Sequence, residues 1–224
     1  MPDLDADLQS MFNARRLAEA ARAAQREFLN FSQEQVDHIC AAMAEAAYRE
    51  SDRLAKLAVE ETTYGRPDHK LVKNQFSSRF LWDSIKDVKT VGVIRRDDQK
   101  KMFEVGWPFG VVVALVPVTN PTSTSMYKIL ICVKARDAIV VSPHPSAPKC
   151  TCETVHVMVE AGERAGMPKG LVSCLTPITL EGTQELMKHW AVSLILATGG
   201  SAMVRAAHSV GKPAIGVGPG NVPA

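Results

Sequence analysis

Asn120 closes the stretch Pro117-Val118-Thr119-Asn120, which directly follows the uninterrupted apolar run Val111 to Val116. Such a run reads as a buried strand, and Ser123 to Arg136 beyond it reads as a helix. A carboxamide at the carboxyl end of a buried strand is fixed by both neighbours. Its N–H can donate to an oxygen on which negative charge develops. Two further strand ends carry comparable residues: Ser142-Pro143-His144-Pro145 and Ala197-Thr198-Gly199-Gly200-Ser201. In an open α/β sheet, ligands bind outside the carboxyl ends of the strands. Gly199 and Gly200 open a helix, where a phosphate can approach the free N–H groups of the first turn. Taken alone, Thr198-Gly199-Gly200 is equally the signature of a tight turn; its coincidence with two other polar strand ends favours the ligand reading. His144 either hydrogen-bonds a ribose or phosphate or packs between Pro143 and Pro145. Two flanking prolines predict a fixed, exposed geometry, which favours ligand contact.

These ends are positioned by an alternation of elements. Strands are predicted at Val111–Val116, Ala138–Ser142, Gly170–Cys174, Val192–Ala197 and Ala214–Val217, and helices at Ser123–Arg136, Pro148–Ala165, Leu180–His189 and Ser201–Ser209. Alternation of this kind predicts an α/β fold: a Rossmann-like, mainly parallel sheet with flanking helices. Ahead of it lies an N-terminal helical segment, residues 1–87. Ser32 and Gln35 form a capping box, and Val36, Ile39, Cys40 and Met43 mark one buried face. Asp52 is expected to cap a third helix closed by Gly65. Pro67 opens a fourth, followed by Leu71, Phe76, Phe80 and Leu81. Residues 88–105 read as a protruding β-hairpin, with strands Thr90 to Ile94 and Met102 to Val105 joined by the polar turn Arg95 to Lys100. Its edges pair either with another subunit or with its own domain.

The 224 residues carry a formal net charge of +2, which argues against nucleic acid as a partner. No apolar run approaches a membrane span, and Met1 to Asp7 lacks a basic-then-apolar leader, so the cytosol is the expected location. Five scattered cysteines do not make a disulfide framework. Cys40 and Cys132 read as small buried hydrophobes. Cys150 and Cys152, with His156 nearby, lack the spacing and the fourth ligand of a zinc site, and no metal is expected. The other histidines (His38, His69, His189, His208) sit on predicted helices without a partner at metal spacing. Gly216-Val217-Gly218-Pro219-Gly220 fails as a dinucleotide fingerprint, because no helix follows it.

The segments Glu60-Glu61-Thr62, Gly106-Trp107-Pro108-Phe109-Gly110, Pro117 to Thr124, Ser142 to Pro145, Gly166-Met167-Pro168, Leu194 to Gly200 and Gly211 to Asn221 together resemble the aldehyde dehydrogenase superfamily, most closely its coenzyme-A-acylating branch. The resemblance implies a cofactor-binding domain for NAD or NADP over residues 1–224, with the hairpin as a homo-oligomerisation element and residues 106–224 as the Rossmann-like part. It implies that Asn120 holds the oxygen of a small aldehyde. Pro117, Val118 and Thr119 would line the nicotinamide side, and Ser142, Pro143 and His144 would approach the adenosine ribose. Thr198, Gly199 and Gly200 would lie beside the pyrophosphate, Val204 near the adenine, and Gly218 at the glycine-rich bend. Hydrolytic relatives carry a water-activating Glu where Val217-Gly218-Pro219-Gly220 stands here. Its absence favours transfer of the acyl group to coenzyme A. Such relatives also carry an acid where Ala147 falls, which leaves NAD versus NADP open. None of the five cysteines matches the family's nucleophile, so the sequence reads as the cofactor-binding half of a longer enzyme. Two other readings stand beside this one: an inactive dinucleotide-binding module, and a non-acylating aldehyde dehydrogenase.

Overall fold

The computed structural model describes residues 5–218; Pro219, Gly220 and Asn221 of the glycine-rich stretch lie outside them. Five strands form one parallel sheet: β3 (Val111–Leu115), β4 (Ala138–Ser142), β5 (Val172–Cys174), β6 (Val192–Thr198) and β7 (Ala214–Val217), in spatial order β5-β4-β3-β6-β7. Every residue of β3 and β4 is buried, as a sheet covered on both faces requires. The chain runs outward from β3 through α6 (Pro121–Lys134), β4 and α7 (Pro148–Arg164) to β5. It then returns through α8 (Leu180–Lys188) to β6, and continues through α9 (Ser201–His208) to β7. The order therefore reverses between β3 and β6, the position where doubly wound sheets open a crevice.

The N-terminal helices complete both layers. α1 (Ala6–Phe28) packs on α8 and across β4, while α2 (Gln33–Arg49) and α3 (Ser51–Thr62) pack on α6 and α7. α2 opens on the expected capping box: Ser32 Oγ accepts from Gln35 N at 3.3 Å and Gln35 Oε1 accepts from Ser32 N at 2.9 Å. Val36, Ile39, Cys40 and Met43 are fully buried. α6, enclosed between the sheet and this layer, is buried on nearly all sides. Its polar residues therefore need internal partners: Ser125 Oγ donates to Pro121 O at 2.8 Å, and Lys134 Nζ donates to Asp37 Oδ1 at 2.5 Å.

Several expected boundaries move. The N-cap of α3 is Glu50 rather than Asp52, which lies in the first turn and pairs with Lys56 at 2.6 Å. The C-cap of α3 is Thr63, itself left-handed (φ 58°), and Gly65 two positions on is also at positive φ (76°). α4 (Pro67–Gln75) begins at Pro67 as expected, then passes through a π-helical turn, Phe76–Phe80, into α5 (Leu81–Ile85). Across this turn Ser77 and Ser78 face inward, and Phe76 and Phe80 are left exposed.

The hairpin is β1 (Gly92–Asp97) and β2 (Met102–Gly106), a separate antiparallel sheet. Thr90 and Val91 are not strand, because the Gln33 carboxamide accepts from both backbone N–H groups, at 2.8 and 3.0 Å. Arg95, Arg96 and Asp97, expected in the turn, extend β1 opposite Glu104, Phe103 and Met102. The turn begins only at Asp98, with Lys101 at positive φ. The hairpin does not fold back on its own domain: Val93, Phe103 and Val105 are all exposed. Among the described residues, no helix is long and apolar enough to cross a membrane.

Candidate functional site

The predicted strand ends do converge. Two adjoining hollows open at the β3–β6 reversal, of about 380 and 350 Å³, the size range of small-molecule sites. Pro117, His144, Thr198, Gly199 and Gly200 line both. The first also takes in Ser142, Pro143 and Pro145; the second takes in Val118, Thr119, Asn120 and Gly218. Val204 lines neither, and packs instead beneath Gly216 and Gly218. A Cβ placed on Gly200 would meet no protein atom within 4 Å, and one on Gly199 would meet only Met203 at its limit. The backbone at the start of α9 therefore faces open space, with unpaired N–H groups of the kind that receive anions.

His144 is not exposed as expected but half-buried, because its Nδ1 accepts from Ser146 N at 3.1 Å and folds the ring onto the turn. Ser142 is buried too, its hydroxyl paired with Thr183 Oγ1 at 3.0 Å. Thr183 belongs to a wall the sequence reading missed: Thr179, Leu180 and Thr183 of the α8 start, and Ala202 and Met203 of α9. Thr179 caps α8 by accepting from Gly182 N at 3.1 Å. That cap was a readable signal, since α8 must begin at the same sheet edge as the other helices.

Three lysines brace the strand ends from behind the residues that line the hollows. Lys70 and Lys73 of α4 reach the loop after β3: Lys70 Nζ donates to Thr119 O at 2.7 Å, and Lys73 Nζ donates to Asn120 Oδ1 at 2.9 Å. Lys128 of α6 is buried beneath the hollows, where Nζ donates to Leu115 O and Leu196 O, both at 2.8 Å. Burial pushes its pKa down to about 7, and a neutral amine still has two N–H groups for the two carbonyls. A lysine depressed in the fold makes the protein less stable below about pH 7, and that handicap fades as pH rises toward its unfolded value of about 10.4. Lys70 and Lys212 are lowered in the same direction by burial, so a difference measurement is needed. Relative to the wild type, Lys128→Met is expected to lose stability steadily from pH 7 to pH 10, read from urea midpoints at each pH. A pH-independent difference would show that Lys128 does not titrate in this window.

No cysteine lines either hollow. Burial raises the thiol pKa of Cys40 to about 12, and raises Cys132 and Cys150 above the usual range. A hydrogen bond between Cys152 and Cys174 lowers the former and raises the latter. Among the described residues, no three His, Cys, Asp or Glu side chains are grouped to hold a metal ion, and no Asp or Glu lines the hollows.

The sequence matches the aldehyde dehydrogenase family over residues 7–214. The chain belongs to the aldehyde dehydrogenase family. This aldehyde dehydrogenase chain is 45% identical over 207 residues to the bifunctional aldehyde-alcohol dehydrogenase of Escherichia coli (strain K12), covering 92% of this chain and 23% of that protein. It superimposes on an acetylating aldehyde dehydrogenase from Geobacillus thermoglucosidasius with TM-score 0.96 at 54% identity, covering 97% of this chain and 48% of that one. It also matches a Rhodopseudomonas palustris propionaldehyde dehydrogenase solved with bound propionyl-CoA, with TM-score 0.80 at 30% identity, covering 93% and 46%. The chain thus spans about half the length of these solved relatives, and its likeness is to acylating members of the family.

Proposed function

We propose that residues 1–224 form the cofactor-binding part of a coenzyme-A-acylating aldehyde dehydrogenase, one that oxidises a short aldehyde to its acyl-CoA with NAD or NADP. The observation that carries this reading is the joint placement of Asn120, Thr198 and Gly199 around one crevice at the sheet's reversal point. The crevice suits a dinucleotide: two adjoining hollows share one wall, no Asp, Glu, Lys or Arg among the described residues lines them, and they meet the start of α9 where the glycines leave the backbone uncovered. Gly199 and Gly200 would hold the pyrophosphate, Pro117 to Thr119 would flank the nicotinamide, and Ser142 to His144, with Leu180, would enclose the adenosine. Once bound, the nicotinamide supplies the hydride acceptor. Asn120 would donate from Nδ2 to the aldehyde oxygen as a thiolate adds to the carbonyl carbon. We place that thiolate outside residues 1–224, because no cysteine here faces the crevice. Among the described residues no carboxylate lines the crevice to serve as a base for water, which supports transfer of the acyl group to the thiol of coenzyme A. A homo-oligomer joined through the hairpin completes the reading.

The test is stoichiometric. Given acetaldehyde, coenzyme A and NAD or NADP, the full-length protein is expected to form acyl-CoA and reduced cofactor one for one. Residues 1–224 alone are expected to bind reduced cofactor, with quenched or shifted nicotinamide fluorescence, yet turn over nothing. Free acid in place of acyl-CoA would favour a non-acylating dehydrogenase. Turnover by residues 1–224 alone would refute the external thiolate.

A further inference from the structure

One face of α4 carries three side chains that converge on the loop after β3 and the first turn of α6. Lys70 Nζ donates to Thr119 O at 2.7 Å, Lys73 Nζ donates to Asn120 Oδ1 at 2.9 Å, and Asn74 Oδ1 accepts from Thr122 Oγ1 at 2.7 Å. Asn74 is itself anchored, its Nδ2 donating to Ser51 O at 3.0 Å. Their i, i+3, i+4 spacing puts all three on one side of the helix. Lys70 and Asn74 are buried, the one holding the Thr119 carbonyl and the other the Thr122 hydroxyl, whereas Lys73 is exposed and touches the loop only through the Asn120 side chain.

A carboxamide can present either its oxygen or its NH₂ to the same point, because its terminal torsion is broad and roughly two-fold. An ammonium group has donors only. Held by Lys73, the carboxamide must turn Oδ1 toward α4 and leave Nδ2 on the other side. Nδ2 has only a long contact there, 3.5 Å to Thr119 Oγ1, at the outer limit of a hydrogen bond. Its N–H groups therefore remain available to an incoming oxygen. Asn120 stands at the N-cap position of α6, yet its side chain makes no capping bond, so helix capping does not set its orientation.

We propose that Lys73 is a positioning residue: it selects the Asn120 rotamer that offers Nδ2, and not Oδ1, to the aldehyde oxygen. The proposal rests on the reading of Asn120 as the donor to that oxygen. Without Lys73 the amide is free to flip, and its flipped form opposes developing negative charge.

The experiment is a double-mutant cycle in the full-length protein with acetaldehyde, coenzyme A and NAD. Lys73→Met is expected to lower kcat about tenfold or more, with the cofactor Kd within about twofold and the melting temperature unchanged, since an exposed charged contact adds little to stability. In the Asn120→Ala background the same change is expected to cost less than about twofold, because residues that act as a unit are not additive. Full additivity, an unchanged kcat in Lys73→Met, or a loss confined to cofactor Kd would overturn the proposal. If the wild type turns over no aldehyde, the functional reading fails separately. The clamp is then judged from the Asn120 side-chain amide resonances, assigned by their loss in Asn120→Asp. A pair that shifts and broadens in Lys73→Met supports the clamp, and an unmoved pair refutes it.

Discussion

Asn120→Ala in the full-length protein is expected to lower kcat for aldehyde oxidation by about 10²- to 10³-fold, the usual cost of deleting one oxyanion donor. The cofactor Kd is expected to stay within about twofold, because the neighbouring wall of the crevice is built by residues 117–119 and 198–200. An interaction made chiefly in the transition state lowers kcat and kcat/KM together, leaving KM nearly unmoved. Asn120→Asp is expected to be at least as impaired. A carboxylate would keep the Lys73 ammonium as its partner and set its negative charge beside the developing one. Steady-state kinetics with acetaldehyde, paired with fluorescence titration of the reduced cofactor, checks both variants. If Asn120→Ala kept wild-type turnover, aldehyde chemistry at this crevice would be the wrong reading, and a dinucleotide-binding module without it would take its place.

What the sequence disclosed about this site follows from the physics of parallel sheets. A strand covered on both faces must be apolar throughout, so Val111–Leu115 and Ala138–Ser142 stand out as runs, and a polar residue just beyond such a run is conspicuous. That logic located Asn120, His144 and Gly199. It also gave the strand Gly170–Cys174, observed as Val172–Cys174, and a helix from Leu180, but not that Thr179, Leu180 and Thr183 at the α8 start wall the first hollow. The lysines were hidden for a different reason. Lys70, Lys73 and Lys128 look like solvated helix faces, and only the tertiary approach of α4 and α6 to the strand ends shows which carbonyl or amide each one meets. The hairpin boundary was likewise decided far away in sequence, by Gln33 capturing the backbone of Thr90 and Val91. No periodicity announces the π-helical turn Phe76–Phe80 either, and in it Phe76 and Phe80 stand exposed.

The hairpin carries the other large expected effect. In its register Val93 faces Val105 and Arg96 faces Phe103, so the period-two alternation gathers Val93, Phe103 and Val105 on one side. All three are exposed, and Trp107 and Phe109 just beyond are 76% and 61% exposed. Large apolar groups held out on a two-stranded sheet with free edges are an association surface, and a second copy of the protein is the partner proposed for it. Each such side chain contributes roughly 1.5–3 kcal/mol when fully buried. Phe103→Glu combined with Val105→Lys is therefore expected to weaken assembly at least a hundredfold, about 2.8 kcal/mol at 1.4 kcal/mol per decade. Both positions lie outside the sheet that builds the crevice, so the melting transition and cofactor Kd are expected to hold within about twofold in affinity. Sedimentation velocity is the measurement: a wild-type oligomer and a doubly substituted monomer support the assignment. An oligomer that survives both substitutions would place the interface elsewhere and leave the exposed hairpin face for a different partner.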